Sequence, residues 1–291
     1  MFFVDEEIST QPADWLRVAR LAPQVRALLP QPGERVAYTG CGTSWFMSVS
    51  SAAVSEAAGL GEADAYTSSE FNYARSYDRV IAISRSGTTT EVIELLKRLK
   101  DQVPTTIITA VPGSPVTEIA DHSIVIDFVD ERSVVQTRFA TAALALTRAH
   151  SGHDLARASR DAESALAADL GDLPESEQIA FLGSGWTYGL AMEAALKTRE
   201  AAQFWAEAYP PMDYRHGPMS IAQAGRTTWC FGEAPAGLVD EVCATGARWE
   251  SSSIDPMAHL VLAQRVAVAI AKRRGLNPDQ PRGLSRSIIL N

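Results

Sequence analysis

The stretch Val36-Ala-Tyr-Thr-Gly-Cys-Gly42 runs from apolar residues into a pair of glycines, and it returns later as Ile179-Ala-Phe-Leu-Gly-Ser-Gly185. Both copies follow one pattern: an apolar residue, Ala, an aromatic residue, any residue, Gly, any residue, Gly. They lie about 140 residues apart, which is the size of one domain. Apolar runs of strand length also alternate with helix-length segments, which is typical of parallel α/β architecture. The sequence therefore predicts two copies of one α/β domain in tandem, the second shorter than the first.

The same alternation predicts the remaining elements. Strands are expected at 36–38, 80–83, 106–109, 124–126, 179–182 and 227–231, and helices at 44–58, 90–99, 135–150, 187–207, 238–245 and 256–272. These elements divide the chain into an N-terminal helical segment (1–30), a first domain (31–151), a second domain (152–275) and a tail (276–291). In the second domain, we expect one strand to be missing between Phe231 and Arg248.

Composition excludes several classes of function. Of the 291 residues, 46% are hydrophobic and 21% charged, and the net charge is -9. This charge argues against a nucleic-acid or anionic-membrane partner, so a bound anion needs a local site. The three cysteines lack paired spacing, which indicates free thiols in a reducing compartment, and the five histidines form no metal-binding motif. Because the sequence also shows neither a signal-peptide pattern nor a spanning apolar run, we expect a cytoplasmic protein without a metal or other cofactor.

The first candidate binding motif is GCGTS at residues 40–44, between a predicted strand and a predicted helix. Its glycines let the backbone turn tightly, and the N–H groups at the start of the following helix attract an anion. A dinucleotide fingerprint requires a third glycine where Trp45 stands, so a pyrophosphate cofactor is not expected. The alternative is an ordinary strand-to-helix turn that Ser44 caps.

A second motif, SRSGTTT at residues 84–90, occupies the equivalent place after another strand. Its five hydroxyl groups, one guanidinium and one glycine supply donors without bulk, and such donors suit the oxygens of a phosphate monoester. In a parallel sheet the carboxyl ends of neighbouring strands share one crevice. We therefore expect both turns to bind one phosphate, although a Thr-rich helix cap would give the same pattern.

Two further motifs carry titratable groups. On the predicted helix 187–207, Glu193, Lys197, Glu200 and Glu207 recur at steps that line one face. Spacing alone is also typical of a solvated face with Glu–Lys pairs. His216 lies in the RHGP segment, where Gly and Pro fix the backbone as a catalytic loop or a plain turn requires.

Taken together, these residues resemble the sugar isomerase (SIS) superfamily, in particular the isomerase half of glucosamine-6-phosphate synthase, amino-sugar-phosphate deaminases and tagatose-6-phosphate ketose-aldose isomerases. The resemblance covers nearly the whole chain in order, with GCGTS (40–44), SRSGTTTE (84–91), ERSVVQTRFAT (131–141), LGSGWTYGLAMEAALKTRE (182–200), AEAY (206–209), RHGP (215–218) and DQPRGLSRS (279–287). It implies two tandem SIS domains, each a doubly wound, five-stranded parallel sheet flanked by helices, in a homodimer.

The resemblance also implies a site. It assigns phosphate and sugar binding to Gly42, Thr43, Ser44, Ser84, Arg85, Ser86, Thr89 and Val134. It gives Glu200 the proton transfer between C1 and C2 of the open-chain sugar, with Lys197 as a polar residue of the same helix. His216 would open the sugar ring from the neighbouring subunit, so the active site would be composite. The tail would lie across the sugar site, where Arg286 replaces the family's lysine and cannot form a Schiff base.

The expected function is therefore a phosphosugar aldose-ketose isomerase or an amino-sugar-6-phosphate deaminase that works through an enediol or enolamine intermediate. Glutamine is not an expected substrate, because residue 2 is Phe2 rather than a nucleophilic cysteine. The alternative is a non-catalytic SIS protein that binds a phosphosugar and regulates a partner. The sequence contains no helix-turn-helix segment, and pure binding would not require both Glu200 and His216.

Overall fold

The computed structural model describes residues 2–290, which contain two parallel β-sheets. The first sheet consists of β1 Val36–Gly40, β2 Ala63–Thr67, β3 Arg79–Ile83, β4 Thr105–Thr109 and β5 His122–Val125. The second consists of β6 Gln178–Gly183, β7 Ala206–Tyr209, β8 Arg226–Phe231 and β9 Arg248–Ser251. Their strand orders are β2-β1-β3-β4-β5 and β7-β6-β8-β9, and each pairing is parallel. The α/β class predicted from the sequence is confirmed.

Ten α-helices flank the sheets in the described part of the chain. They are α1 Phe3–Leu21, α2 Thr43–Ala57, α3 Thr90–Leu99, α4 Pro115–Ile119, α5 Arg138–His150, α6 Leu155–Ala167, α7 Trp186–Ala202, α8 Pro211–Tyr214, α9 Leu238–Ala244 and α10 Pro256–Arg273. Most predicted helices agree with these bounds to within a few residues. No helix among residues 2–290 is both long enough and apolar enough to cross a bilayer.

The second sheet has four strands, so the expectation of five strands in each sheet is wrong there. Its order repeats the first four strands of the first sheet, and the strand that would correspond to β5 is absent among the described residues. The position at which the second sheet lacks a strand also differs from the expected one. The segment between Phe231 and Arg248 holds α9, as the equivalent segment of the first sheet holds α3. It is after β9 that the chain passes directly into α10.

Helix α7 ends earlier than the sequence pattern predicts. Gln203 follows the last helical residue with a left-handed backbone (φ 48°), a conformation that commonly terminates helices. The chain then enters β7, which contains Glu207. Glu207 therefore does not extend the line of Glu193, Lys197 and Glu200, and the four-residue face predicted from spacing is reduced to three.

The two halves of the molecule meet through α2 and α7, the helices that follow the repeated glycine turns. Gly189 allows this contact, because a Cβ atom there would lie 2.2 Å from the Ser50 hydroxyl oxygen and 2.3 Å from the Phe46 carbonyl oxygen. The Ser50 hydroxyl also donates a hydrogen bond of 2.8 Å to the Trp186 carbonyl. Apolar residues of both sheets belong to one continuous core. This packing brings α7 against the carboxyl end of the first sheet.

Candidate active site

Both predicted binding turns lie at the carboxyl ends of adjacent strands. The first turn follows β1 and leads into α2, and the second follows β3 and leads into α3. The strand order reverses between β1 and β3, which is where open parallel sheets form their binding crevice. Gly42 and Gly87 have positive φ values of 55° and 65°. Glycine therefore permits the backbone of both turns to face the crevice.

A pocket of about 170 Å³ opens at this edge of the sheet. Seven of the predicted site residues line it: Gly42, Thr43, Thr89, Val134, Lys197, Glu200 and Arg286. The remaining wall comes from residues that the sequence reasoning did not assign, namely Cys41, Gln136, Leu284, Ser285, Ser287 and Ile288. Gln136 and the tail residues lie within or beside the segments that carry the family resemblance. That position in the sequence could have indicated that they line the pocket. Larger hollows elsewhere are lined by other residues and include neither of the two predicted binding turns.

Three titratable side chains of α7 lie in a row that leads to the pocket. The Lys197 ammonium lies 3.6 Å from Glu193 Oε1 and donates a short hydrogen bond to Glu200 Oε2. The side chains of Glu193 and Lys197 are 0% and 2% exposed, whereas that of Glu200 is 19% exposed. Glu200 is thus the carboxylate that a molecule in the pocket can reach.

Burial strongly shifts the pKa of Glu193. It raises the pKa of Glu193 from 4.5 to about 8, with the Lys197 charge opposing the rise and the Glu200 charge adding to it. Burial alone would lower the pKa of Lys197, but the neighbouring carboxylates Glu193 and Glu200 outweigh it and raise that pKa. At neutral pH, Glu193 therefore tends to retain its proton, while Lys197 stays charged beside Glu200.

The hydroxyl turn is folded onto itself beside the pocket. The Ser86 hydroxyl accepts hydrogen bonds from Thr88 N (3.2 Å) and from the Thr88 hydroxyl (3.0 Å), and the Ser84 hydroxyl accepts one from Gly87 N (3.3 Å). In these bonds both serines act as acceptors, so their own protons are free to be donated. Ser44, Ser84 and Ser86 are buried in the two turns, next to the residues that line the pocket.

Arg85 is buried beside the pocket, where it bonds backbone carbonyls and does not line the wall. Its guanidinium donates hydrogen bonds to the carbonyl oxygens of Ser133 (2.9 Å), Val134 (3.3 Å) and Arg286 (3.1 Å), and it lies 3.6 Å from Glu131 Oε2. The residue is 2% exposed. Burial lowers the pKa of Arg85, with the Glu131 charge opposing that shift. In this geometry the terminal nitrogens of Arg85 join its own turn to residues 133–134 and to the tail, while its Nε atom has no hydrogen-bond partner among residues 2–290.

The tail crosses the pocket, and residues 287–290 lie on the hydroxyl turn 84–90. Thr90 N donates to the Ile288 carbonyl (3.1 Å), and the hydroxyl groups of Ser287 and Thr88 are 2.9 Å apart. The Arg286 guanidinium donates to a carboxylate oxygen of Asp130 and to the Glu131 carbonyl. It therefore bonds the segment before residue 132, and it does not bond Glu200 in this conformation.

His216 lies apart from this pocket within the single chain. It is exposed in the segment after α8, where its backbone N–H donates to the Asp213 carbonyl (2.9 Å). The segment follows the carboxyl end of β7 in the second sheet. The structure thus brings Lys197 and Glu200 to the glycine turns but leaves His216 outside.

Residues 30–150 match the family model of the SIS domain. That part of the chain therefore carries a SIS domain, and the resemblance seen in its sequence motifs is confirmed there. The fold of the chain is that of a glucosamine-6-phosphate deaminase from Thermotoga maritima (24% identity, TM-score 0.81, 99% of both chains covered). A tagatose-6-phosphate ketose/aldose isomerase from Escherichia coli is similar as well (21% identity, TM-score 0.80, 99% of this chain and 96% of that chain covered).

Curated relatives share sequence over most of this chain. A glutamine–fructose-6-phosphate aminotransferase (isomerizing) from Pyrobaculum aerophilum is 27% identical over 98% of this chain and 57% of its own length. The first such relatives are matched over 50% of their length, so the chain spans about half the length of the curated relatives it matches.

Proposed function

We propose that this protein is a phosphosugar aldose-ketose isomerase or an amino-sugar-6-phosphate deaminase, built from two tandem SIS domains over residues 31–151 and 152–275. The observation that carries the proposal is the pocket in which Glu200 and Lys197 face the glycine turn 41–43 and Thr89. A carboxylate that can take a proton, an ammonium beside it and an anion-binding edge are the groups that such chemistry requires.

In the proposed mechanism, the phosphate is bound at the carboxyl ends of β1 and β3 by Ser44, Ser84, Ser86 and Thr89, with backbone N–H groups at the start of α2. This anchor positions the open-chain sugar, since binding energy from the non-reacting phosphate orients the reacting carbons. The anion would meet the tail there, because Ser287 and Ile288 already bond the turn at Thr88 and Thr90.

Glu200 then removes the proton from the carbon next to the carbonyl or imine and returns it to the neighbouring carbon. General acid–base catalysis of this kind contributes about 10²–10⁴-fold in rate. Lys197 stays charged between two carboxyl groups, and its ammonium would stabilise negative charge on the enediol or enolamine oxygen. With an amino sugar, water then releases ammonia from the product imine.

Ring opening is assigned to His216 of a second subunit. The exposure of His216, and its separation from the pocket of its own chain, support a composite site in a homodimer. Mixing Glu200→Gln protein with His216→Ala protein should then restore activity in the mixed dimers, because each dimer keeps one site with both residues intact. Two inactive variants that stay inactive after subunit exchange, or a fully active monomer in solution, would contradict this assignment.

Turnover of candidate substrates tests the proposal directly. The protein is incubated with fructose 6-phosphate, glucosamine 6-phosphate and galactosamine 6-phosphate, and aldose, ketose and ammonia are measured. We expect at least one to react, and Glu200→Gln to abolish turnover while calorimetry still detects binding. Glu163→Gln, on an exposed position of α6, is the matched control. Binding without turnover in the unmodified protein would instead favour a phosphosugar-binding regulator.

The tail is assigned a positional role, with no covalent imine. Arg286 remains protonated and bonds Asp130 and Glu131 in the structure. Borohydride added during turnover should therefore trap no sugar on residues 276–291, as judged by mass spectrometry of the digested protein. Deleting residues 282–291 should abolish turnover, because it removes the wall formed by residues 284–288.

A further inference from the structure

The segment 131–137 is fixed by contacts with three other parts of the chain. The Glu7 carboxylate accepts hydrogen bonds from the backbone N–H groups of residues 132 and 133, and Arg85 donates to the carbonyls of residues 133 and 134. The carbonyl of Asp279 accepts from the N–H of residue 134 (3.0 Å).

The carboxyl-terminal end of segment 131–137 is held by the first residue of the same segment. The Glu131 carboxylate accepts hydrogen bonds from the backbone and hydroxyl of Thr137 and from the backbone of Arg138 (2.9 Å). These bonds hold both ends of the segment, so the position of the residues between them is set before any ligand arrives.

Gln136 is the residue that this fixed segment presents to the pocket without a protein partner. Gln136 lines the same pocket as Lys197 and Glu200. Its Oε1 atom is buried, and among residues 2–290 it has no hydrogen-bond partner. A buried acceptor left unpaired destabilises the folded state unless something bonds to it. Neither the fold nor the proposed proton transfer uses this group.

We propose that Gln136 determines specificity by accepting a hydrogen bond from a hydroxyl or amino group of the sugar. This inference rests on the proposed function, because it takes the pocket to bind a sugar phosphate. Phosphate binding is assigned to the turns at residues 42–44 and 84–89, so Gln136 acts on the sugar and not on the anion. It is a recognition residue that distinguishes sugar phosphates from bare phosphate.

The test uses ligands that cannot react. Glucitol 6-phosphate and 2-amino-2-deoxyglucitol 6-phosphate have no carbonyl, and inorganic phosphate has no sugar. Calorimetry gives the ratio of alditol-phosphate affinity to phosphate affinity for each protein. Gln136→Leu should reduce that ratio about 10-fold, the scale of one hydrogen bond lost from a buried site. The alditol that loses more affinity identifies the donor as hydroxyl or amino.

Two further variants make the ratio interpretable. Gln136→Glu keeps an acceptor oxygen but adds a charge, so it should weaken every anion while retaining most of the ratio. Gln24→Leu, an exposed amide outside the pocket, should change nothing. A ratio that Gln136→Leu leaves unchanged would overturn the inference, and so would an unmodified protein that binds phosphate as tightly as either alditol. Failure of the proposed function would give a different result. The sugar phosphates would then show no turnover, while Gln136→Leu would still lower the ratio of alditol-phosphate affinity to phosphate affinity.

Discussion

Replacing Arg85 by Met separates two roles for this residue, an anion ligand as the family resemblance implies and a connector of backbone segments as the geometry indicates. The change removes three hydrogen bonds to carbonyl oxygens and the cation nearest to the buried Glu131 carboxylate. Removing one partner of a buried charge pair typically costs about 3–5 kcal/mol, because the other charge stays buried and uncompensated. That loss is a large part of the roughly 5–15 kcal/mol by which domains are stable.

Urea denaturation of Arg85→Met should therefore show a free energy of unfolding about 3–5 kcal/mol lower than that of the unmodified protein. Arg157→Met, whose side chain is 72% exposed, is the matched control and should differ by less than about 0.5 kcal/mol. Adding Glu131→Gln to Arg85→Met should recover part of the loss, since the carboxylate left without its cation is then replaced by a neutral amide. A variant that keeps its stability but loses affinity for inorganic phosphate would refute this reasoning and restore the ligand role.

Three further predictions follow from the same site. Burial raises the pKa of Glu193 in the folded state from 4.5 to about 8, so the folded protein favours the neutral carboxyl group. The stability that this group contributes is therefore fully present below pH 4.5, and it is lost as the pH rises through 8 and the buried group ionises. Glu193→Gln should thus gain stability relative to the unmodified protein between pH 5 and pH 9 in urea titrations, and a constant difference would contradict the shift. Gly87→Ala should cost more stability than Gly171→Ala in thermal denaturation. Both have positive φ, but only at residue 87 would the new Cβ collide, at 2.1 Å from the Ser114 hydroxyl. Ser86→Ala should weaken phosphate binding by about 10-fold in calorimetry, the scale of a lost hydrogen bond to a charged group, and unchanged affinity would remove Ser86 from the phosphate site.

Much of the architecture could be predicted because the signals lie in long, periodic segments. The repeated strand-and-glycine pattern marks β1 and β6, and it also marks the turns that lead into α2 and α7. The strands β2, β7 and β9 were not predicted, since they are four or five residues long and mostly half-buried. Short segments of this kind carry little hydrophobic periodicity, and neighbouring strands rather than their own sequence decide their conformation.

Side-chain direction was less predictable than side-chain position. The resemblance places Arg85 in a phosphate-binding turn, yet its guanidinium turns towards carbonyls 48 and 49 positions along the chain and one in the tail. Spacing assigned Glu207 to the face of α7, but the left-handed Gln203 ends the helix first. Both differences depend on contacts made between distant segments, which local patterns do not record.

The walls of the pocket come from places spread along almost the whole chain, from residue 41 to residue 288. The contact between Thr90 and Ile288 closes a loop of nearly 200 residues. Closing such a loop costs chain entropy before any contact compensates for it, so we expect contacts of this kind to form late in folding. During synthesis the first sheet can therefore fold while its binding edge is still open. The wall of the pocket is complete only when residues 284–288 have been synthesised and have docked. A ligand that requires the closed pocket consequently stabilises this last folding step and none of the earlier ones.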